Sequence, residues 1–171
     1  MTVSTDCFDP NLDLTFTHDV PLPAEAIWAA WTTPSHLLHW FTPKPWQTIA
    51  CDIDLQPGGR FHTVMRSPEG ETFPGTGCYL DVVPNRRLVW TNVLLPGFRP
   101  APVEAAAERG SGDFHFTAII ELEPIATGTR YTATVRHRDA AGREQHEAMG
   151  FEPGWGAALA QLVEYMQAQA G

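Results

Sequence analysis

Little in this chain offers covalent chemistry. Its three cysteines, Cys7, Cys51 and Cys78, are an odd number, widely separated, with no C-x-x-C pair. That excludes a disulfide scaffold and a thiolate zinc site. All three are expected reduced, Cys51 and Cys78 in apolar strand-like stretches and Cys7 in an N-terminal tail. No serine sits in a G-x-S-x-G elbow: Ser4, Ser35, Ser67 and Ser111 fall in tails, caps or turns, which leaves no serine-hydrolase nucleophile. The HEAMG stretch from His146 lacks the second histidine four residues on that a helical zinc-protease site requires. Positive charge is scarce as well. Eleven Lys and Arg face twenty Asp and Glu, a formal charge of −9, and such a surface repels phosphate backbones, so nucleic acid is excluded as a partner. No apolar run approaches the roughly 20 residues of a membrane-spanning helix. Met1 to Pro10 has neither the basic start nor the apolar centre of an export signal. The expectation is a cytoplasmic protein with no membrane span.

What is present is an ordinary core supply and many aromatics. The chain has 171 residues, 43% hydrophobic and 18% charged, a length that suits one domain burying roughly 70% of its unfolded surface. We expect a flexible tail over residues 1–10 and a single domain over 11–171. Leu12, Leu14 and Phe16 alternate with polar residues, the period-two mark of a half-buried strand over Asn11 to His18. After Pro21 and Pro23, Ile27, Trp28 and Trp31 recur at helical steps, and Pro34 opens a second short helix over Ser35 to Trp40 with Thr33 as its cap.

Hairpin signals then follow in series. Strands are expected over Gln47–Leu55, Arg60–Ser67, Thr76–Val83 and Arg87–Leu95, separated by Pro57-Gly58-Gly59, Pro68-Glu69-Gly70 and Pro84-Asn85. Asp52 and Asp54 read as the solvated side of their strand, opposite Ile49, Cys51 and Ile53. Gly97 to Gly112 reads as a long surface loop. A last hairpin joins Asp113–Glu123 to Thr129–Arg138, with Phe114, Phe116, Ala118, Ile120 and Leu122 on one face and Tyr131, Ala133, Val135 and His137 opposite them. Residues 142–150 suit a helix, Pro153-Gly154 should interrupt it, and Trp155 to Gln169 resumes with Leu159, Leu162, Val163 and Met166 at helical spacing. Hairpins and one amphipathic helix make an α+β fold, with an antiparallel sheet and the helix across its concave face.

Four segments in this order, WTTPSHLLHWF from Trp31, DLQPGGRF from Asp54, GTGCYLDVVPNRRLVWT from Gly75 and GWGAALAQL from Gly154, resemble the helix-grip superfamily abbreviated SRPBCC, or START-like. Within it they are similar to proteins like the C-terminal domain of the activator of the ninety-kilodalton heat-shock protein's ATPase. The resemblance covers about Leu12 to Ala168. It implies a seven-stranded curved antiparallel sheet around a long C-terminal helix, two short helices between strands one and two, a pocket between sheet and helix, and often a homodimer. Members bind lipids, hormones and polyketides, some catalyse cyclisation or hydrolysis, and one branch stimulates a chaperone; the fold does not select among these.

Six tryptophans and nine phenylalanines suit an apolar pocket, whose affinity comes largely from aromatic walls. Trp40, Phe61, Met65, Trp90, Phe116, Tyr131, Trp155 and Leu159 are the expected wall, with His137 turned inward beside Tyr131. The weighed alternative for any one aromatic is plain core, which is the commoner fate. His115 is expected on the face opposite Phe114 and Phe116, and His146 solvated or singly hydrogen-bonded rather than a ligand. No metal and no cofactor are expected. The leading expectation is therefore a non-enzymatic binder of an apolar small molecule. The alternatives are a protein-interaction module of the co-chaperone kind, and a cyclase- or hydrolase-type enzyme using His137 or a pocket carboxylate as general base.

Overall fold

The period-two pattern expected of the first strand is the observed one. In β1 (Asp13–Val20) Leu14, Phe16 and Val20 are buried while Thr15, Thr17 and His18 face water. This is seen in a computed structural model of the chain, which describes residues 8–102 and 115–170. Residues 1–7 of the expected 1–10 tail and most of the expected 97–112 loop lie outside the described residues.

After β1 come α1 (Ala24–Thr32) and α2 (Pro34–Trp40), then β2 (Gln47–Ile53), β3 (Arg60–Arg66), β4 (Thr72–Val83) and β5 (Arg87–Thr91). Two short strands, β6 (Leu94–Leu95) and β7 (Arg99–Pro100), pair with each other, and β8 (Phe116–Ile125), β9 (Gly128–His137), α3 (Ala140–Ala148) and α4 (Phe151–Ala170) complete the order. The seven long strands form one antiparallel sheet in the order β1-β9-β8-β5-β4-β3-β2. Register shifts at Thr48/Ala50 and Tyr79/Asp81 mark bulges, which bend strands. Against this sheet α4 buries Phe151, Ala158, Leu159, Leu162 and Met166. The expected α+β helix-grip architecture is the observed one.

Alternation sets the last hairpin. Phe116, Ala118, Ile120 and Leu122 stand across from His137, Val135, Ala133 and Tyr131, one inner face shared by two strands; Phe114 lies outside the described residues. Elsewhere local detail departs from expectation. The bulge beside Thr48 puts Thr48 inside and leaves Ile49 39% exposed. β4 starts at Thr72, four residues early, and β5 ends at Thr91, because the chain leaves the sheet to make the β6–β7 pair. Thr33 takes the N-cap position of α2, but its hydroxyl makes no cap bond. Pro153 and Gly154 do not interrupt the last helix. Pro153 is the third residue of α4, where a helix needs no N–H from it, and the break falls instead at Gly150, whose φ of 92° is left-handed.

Two ties hold the helices. The Trp40 indole N–H donates to the Ala30 carbonyl at 3.0 Å, locking α2 to α1. The Gln161 amide on α4 donates to the carbonyls of Trp40 (3.1 Å) and Thr42 (3.0 Å) and accepts from Lys44 N–H (3.0 Å), so one side chain satisfies three backbone groups of the α2–β2 connection.

The Pro57-Gly58-Gly59 turn is sewn to β4. Gly58 N–H donates to the Tyr79 carbonyl at 2.7 Å, and Tyr79 N–H to the Gly59 carbonyl at 3.0 Å. A Cβ on Gly59 would sit 1.9 Å from the Asp54 carbonyl oxygen, a backbone atom that cannot step aside. Gly59→Ala is therefore expected to destabilise the fold by at least the 1–3 kcal/mol typical of overpacking, as roughly that loss in a urea titration. A midpoint within error of the parent would contradict this reading of the turn.

Candidate functional site

Between α4 and the concave face of the sheet lies a cavity of about 620 Å³, inside the roughly 300–1,000 Å³ range of small-molecule pockets. Its sheet wall begins on β3, where Phe61, Thr63 and Met65 alternate inward. Their partners on β4 are Gly77, Gly75 and Phe73. Gly77 cannot carry a side chain, since a Cβ would meet the Thr91 carbonyl oxygen at 2.7 Å, whereas a Cβ on Gly75 would meet nothing within 4 Å. On the helix side Gly154 is equally open, and its neighbour one turn on is Ala158. The space exists because glycine and alanine stand where larger side chains would have filled it.

Aromatic rings form a continuous belt around that space. Trp31 meets Trp40 edge-on at 4.9 Å, Trp40 meets Phe41 at 5.7 Å, and Phe41 meets Phe61 at 5.7 Å. Phe61 then reaches Trp90 at 5.0 Å, Trp90 reaches Phe116 at 5.5 Å, and Phe116 reaches Trp155 at 6.5 Å. Such tilted and edge contacts are the favoured ring geometries. Among the described lining residues none is Asp, Glu, Lys or Arg; the ion pairs Asp52–Arg60 and Asp19–Arg130 keep solvent-exposed side chains outside it, and the half-buried Asp81–Arg87 pair is likewise off the lining.

The polar side chains on the wall are Thr63, Thr76, Asn92, His115, Tyr131 and His146, and the last of these pairs with a second histidine behind it. His137 Nδ1 lies 3.0 Å from the Leu12 carbonyl oxygen, which can only accept, so the proton is on Nδ1. In a neutral ring Nε2 is then the acceptor, and His146 Nδ1–H donates to it at 2.9 Å. Burial holds both imidazoles neutral: it lowers His137, and with His137 as the second cause it pushes His146 down to about 4. α3 delivers His146 because Asp139 caps it, accepting from Gly142 N–H at 2.7 Å. Elsewhere burial, then Asp52, pushes the Cys51 thiol up to about 11, so it is no nucleophile at neutral pH. Among the described residues no three His, Cys, Asp or Glu side chains converge to hold a metal.

Eight of the nine sequence-nominated residues line the cavity: Trp40, Phe61, Met65, Trp90, Phe116, Tyr131, Trp155 and Leu159. His137 does not. It points inward as alternation requires but stands behind His146, so the group that touches the space is His146. His115 also lies against the cavity, contrary to its assignment to the outer face. Phe41, Gly75 and Asn92 were not nominated. Phe41 follows Trp40 beyond the helical repeat and Gly75 has no side chain to read. The Asp139 cap was the missed signal that would have phased α3.

A family model described as activator of Hsp90 ATPase homolog 1-like protein matches residues 21–167. No curated protein matches the chain. Among solved structures, a protein from Nitrosomonas europaea is 41% identical over 95% of this chain and 99% of its own, with a TM-score of 0.88. A protein from Rhodobacter sphaeroides is 22% identical over 92% of this chain and 94% of its own, at a TM-score of 0.77. An AHSA1-like protein from Aeromonas hydrophila is 20% identical over 93% and 94%, at 0.69. These last two show the shared fold alone.

The histidine pair makes stability depend on pH. Between the ordinary histidine value of 6.5 and about 4, the unfolded chain takes up a proton that folded His146 refuses. Stability is therefore full above that window and is lost as pH falls through it. Asp13, Asp139 and Arg143 also act on His137. Discounted for partial solvent access, the loss from pH 7 to pH 5 is about 1 kcal/mol. His146→Gln, whose amide still donates to His137, should flatten this slope in urea titrations at the two pH values; an unchanged slope would assign the effect to other groups.

Proposed function

The chain belongs to the activator of Hsp90 ATPase homolog 1-like family, and from that premise we propose that it binds an apolar small molecule, without catalysis, in the cavity between its sheet and α4. One observation carries the reading: a space of about 620 Å³ walled by a succession of aromatic rings from Trp31 to Trp155 with no charged described residue on it. Left to water, such a wall keeps apolar surface wet at a cost of roughly 25 cal/mol per Å². Water is a poor filler where walls offer few hydrogen bonds, whereas an apolar ligand gains both the hydrophobic term and ring contacts.

Catalysis finds less support. The residue nominated as general base, His137, is shielded from the cavity by His146, and His146, at about 4, is too weakly basic to take a proton efficiently at neutral pH.

The uncharged dye N-phenylnaphthylamine should gain fluorescence on binding the purified protein, and native mass spectrometry of freshly purified material should show a bound small molecule. Gly154→Phe, alone or with Gly75→Phe, is expected to weaken dye binding by about tenfold or more, 1.4 kcal/mol, with Tm unchanged or raised because a helix gains from losing glycine. Undiminished dye affinity in the double variant would remove the cavity as the binding site.

A further inference from the structure

The cavity differs between its depth and its entrance, and the difference narrows the class of molecule it takes, on the footing that the cavity is the binding site. Six rings line the depth: Trp31, Trp40, Phe61, Trp90, Tyr131 and Phe151. None keeps more than 7% of its surface accessible. A side chain that borders a space and still shows so little surface borders a narrow part of it. The entrance is built differently. Among the described lining residues, Pro74, Gly75 and Pro102 are exposed and Met149 is 54% exposed, so the space widens there toward solvent.

Narrowness and composition point the same way. The deep rings brace one another, Trp31 against Trp40 at 4.9 Å and Phe61 against Trp90 at 5.0 Å. An aromatic side chain has only two rotatable bonds, so a wall of braced rings does not reshape itself around a guest as a methionine-rich surface does. Into a narrow cleft with stiff sides a flat group enters with the least displacement. A saturated fused ring is thicker, and a flexible chain loses rotational freedom at each bond that is fixed. A flat aromatic group also gains ring contacts beyond the area it buries.

We infer that the ligand carries a planar aromatic ring system, taken up ring first into the cleft, with the rest of the molecule trailing toward the entrance beside Met149. Its class is that of aryl compounds, as against fatty acyl chains and saturated polycycles. The polar side chains of the wall are spread over β3, β4, β9 and α3 rather than gathered in one place, so cleft width and ring contacts, not a single hydrogen bond, select the ligand.

The test uses three ten-carbon alcohols, 2-naphthol, decahydro-2-naphthol and 1-decanol, titrated into the full chain by calorimetry. Each affinity is referred to the same alcohol's partition from water into octanol, which removes bulk hydrophobicity and leaves fit. On that scale 2-naphthol is expected to exceed 1-decanol by about tenfold or more and decahydro-2-naphthol by about threefold or more, the worth of one or two ring contacts. An equal or greater value for either saturated alcohol would overturn this inference and leave the cavity reading standing. Failure of all three to bind would overturn it too, and, if N-phenylnaphthylamine also fails to bind, the cavity reading with it. Methyl NMR of the parent protein locates the ring without a variant. Ala158 and Leu159 line the cavity from buried positions, at 9% and 5% exposure, and Met149 marks the entrance. The ring current of bound 2-naphthol should shift the Ala158 and Leu159 methyls and leave that of Met149 nearly in place. A larger shift at Met149, or none at the buried pair, would overturn the proposal.

Discussion

The seating of α4 on the concave side of the sheet is the contact on which everything else rests. Its lower turns give the sheet large apolar side chains, Leu162 fully buried and Met166 nearly so, while Phe151 at its start packs edge-on against Phe16 of β1 at 6.1 Å. Between these anchors the helix presents Gly154 and Ala158. The same helix is thus tightly packed at both ends and withdrawn in the middle. Protein interiors are otherwise as dense as organic crystals, so an opening of this size needs rigid support around it. The aromatic belt supplies stiff side chains with few rotatable bonds, and the three-way clamp of Gln161 fixes the connection beside them.

Electrostatics divide the molecule cleanly. The chain is strongly acidic, yet its charges are spent on the outer surface, where exposed pairs such as Asp52–Arg60 and Asp19–Arg130 contribute little to stability. Inside, none of the described residues on the cavity wall is Asp, Glu, Lys or Arg. Two buried imidazoles side by side would repel if both were charged; arranged head to tail behind the Leu12 carbonyl, they form a satisfied chain instead. Their placement follows from β9 ending at His137 and α3 beginning three residues later, at Ala140, under the Asp139 cap.

Much of this architecture was legible beforehand, and the misses have physical causes. Period-two burial reads directly in β1 and β9 because these strands are regular and one face is dry. It fails at Ile49, where a bulge adds a residue and inverts the phase. Pro153 was read as a breaker, but its effect depends on where the helix starts, and Gly150 decided that. For the site, size and aromaticity were enough to nominate most of the wall, since large apolar side chains on inner faces have few other places to go. His146 was passed over because it sits on a short helix with no buried residue and little periodicity, and its role arises only when two elements meet. Gly75 and Gly154 were quoted as family signatures, but nothing in a glycine announces an absence of atoms across from it.

That absence has a bearing on how such a scaffold diversifies. The capacity of the chamber is written in two residues without a side chain, where an added Cβ would meet nothing: Gly75 on a strand and Gly154 on a helix. Enlarging either one adds bulk to the interior without disturbing a hydrogen bond, a turn or the register of the sheet. Descendants of this chain can therefore trade one guest for another by small steps at two codons, while the machinery of folding stays as it is.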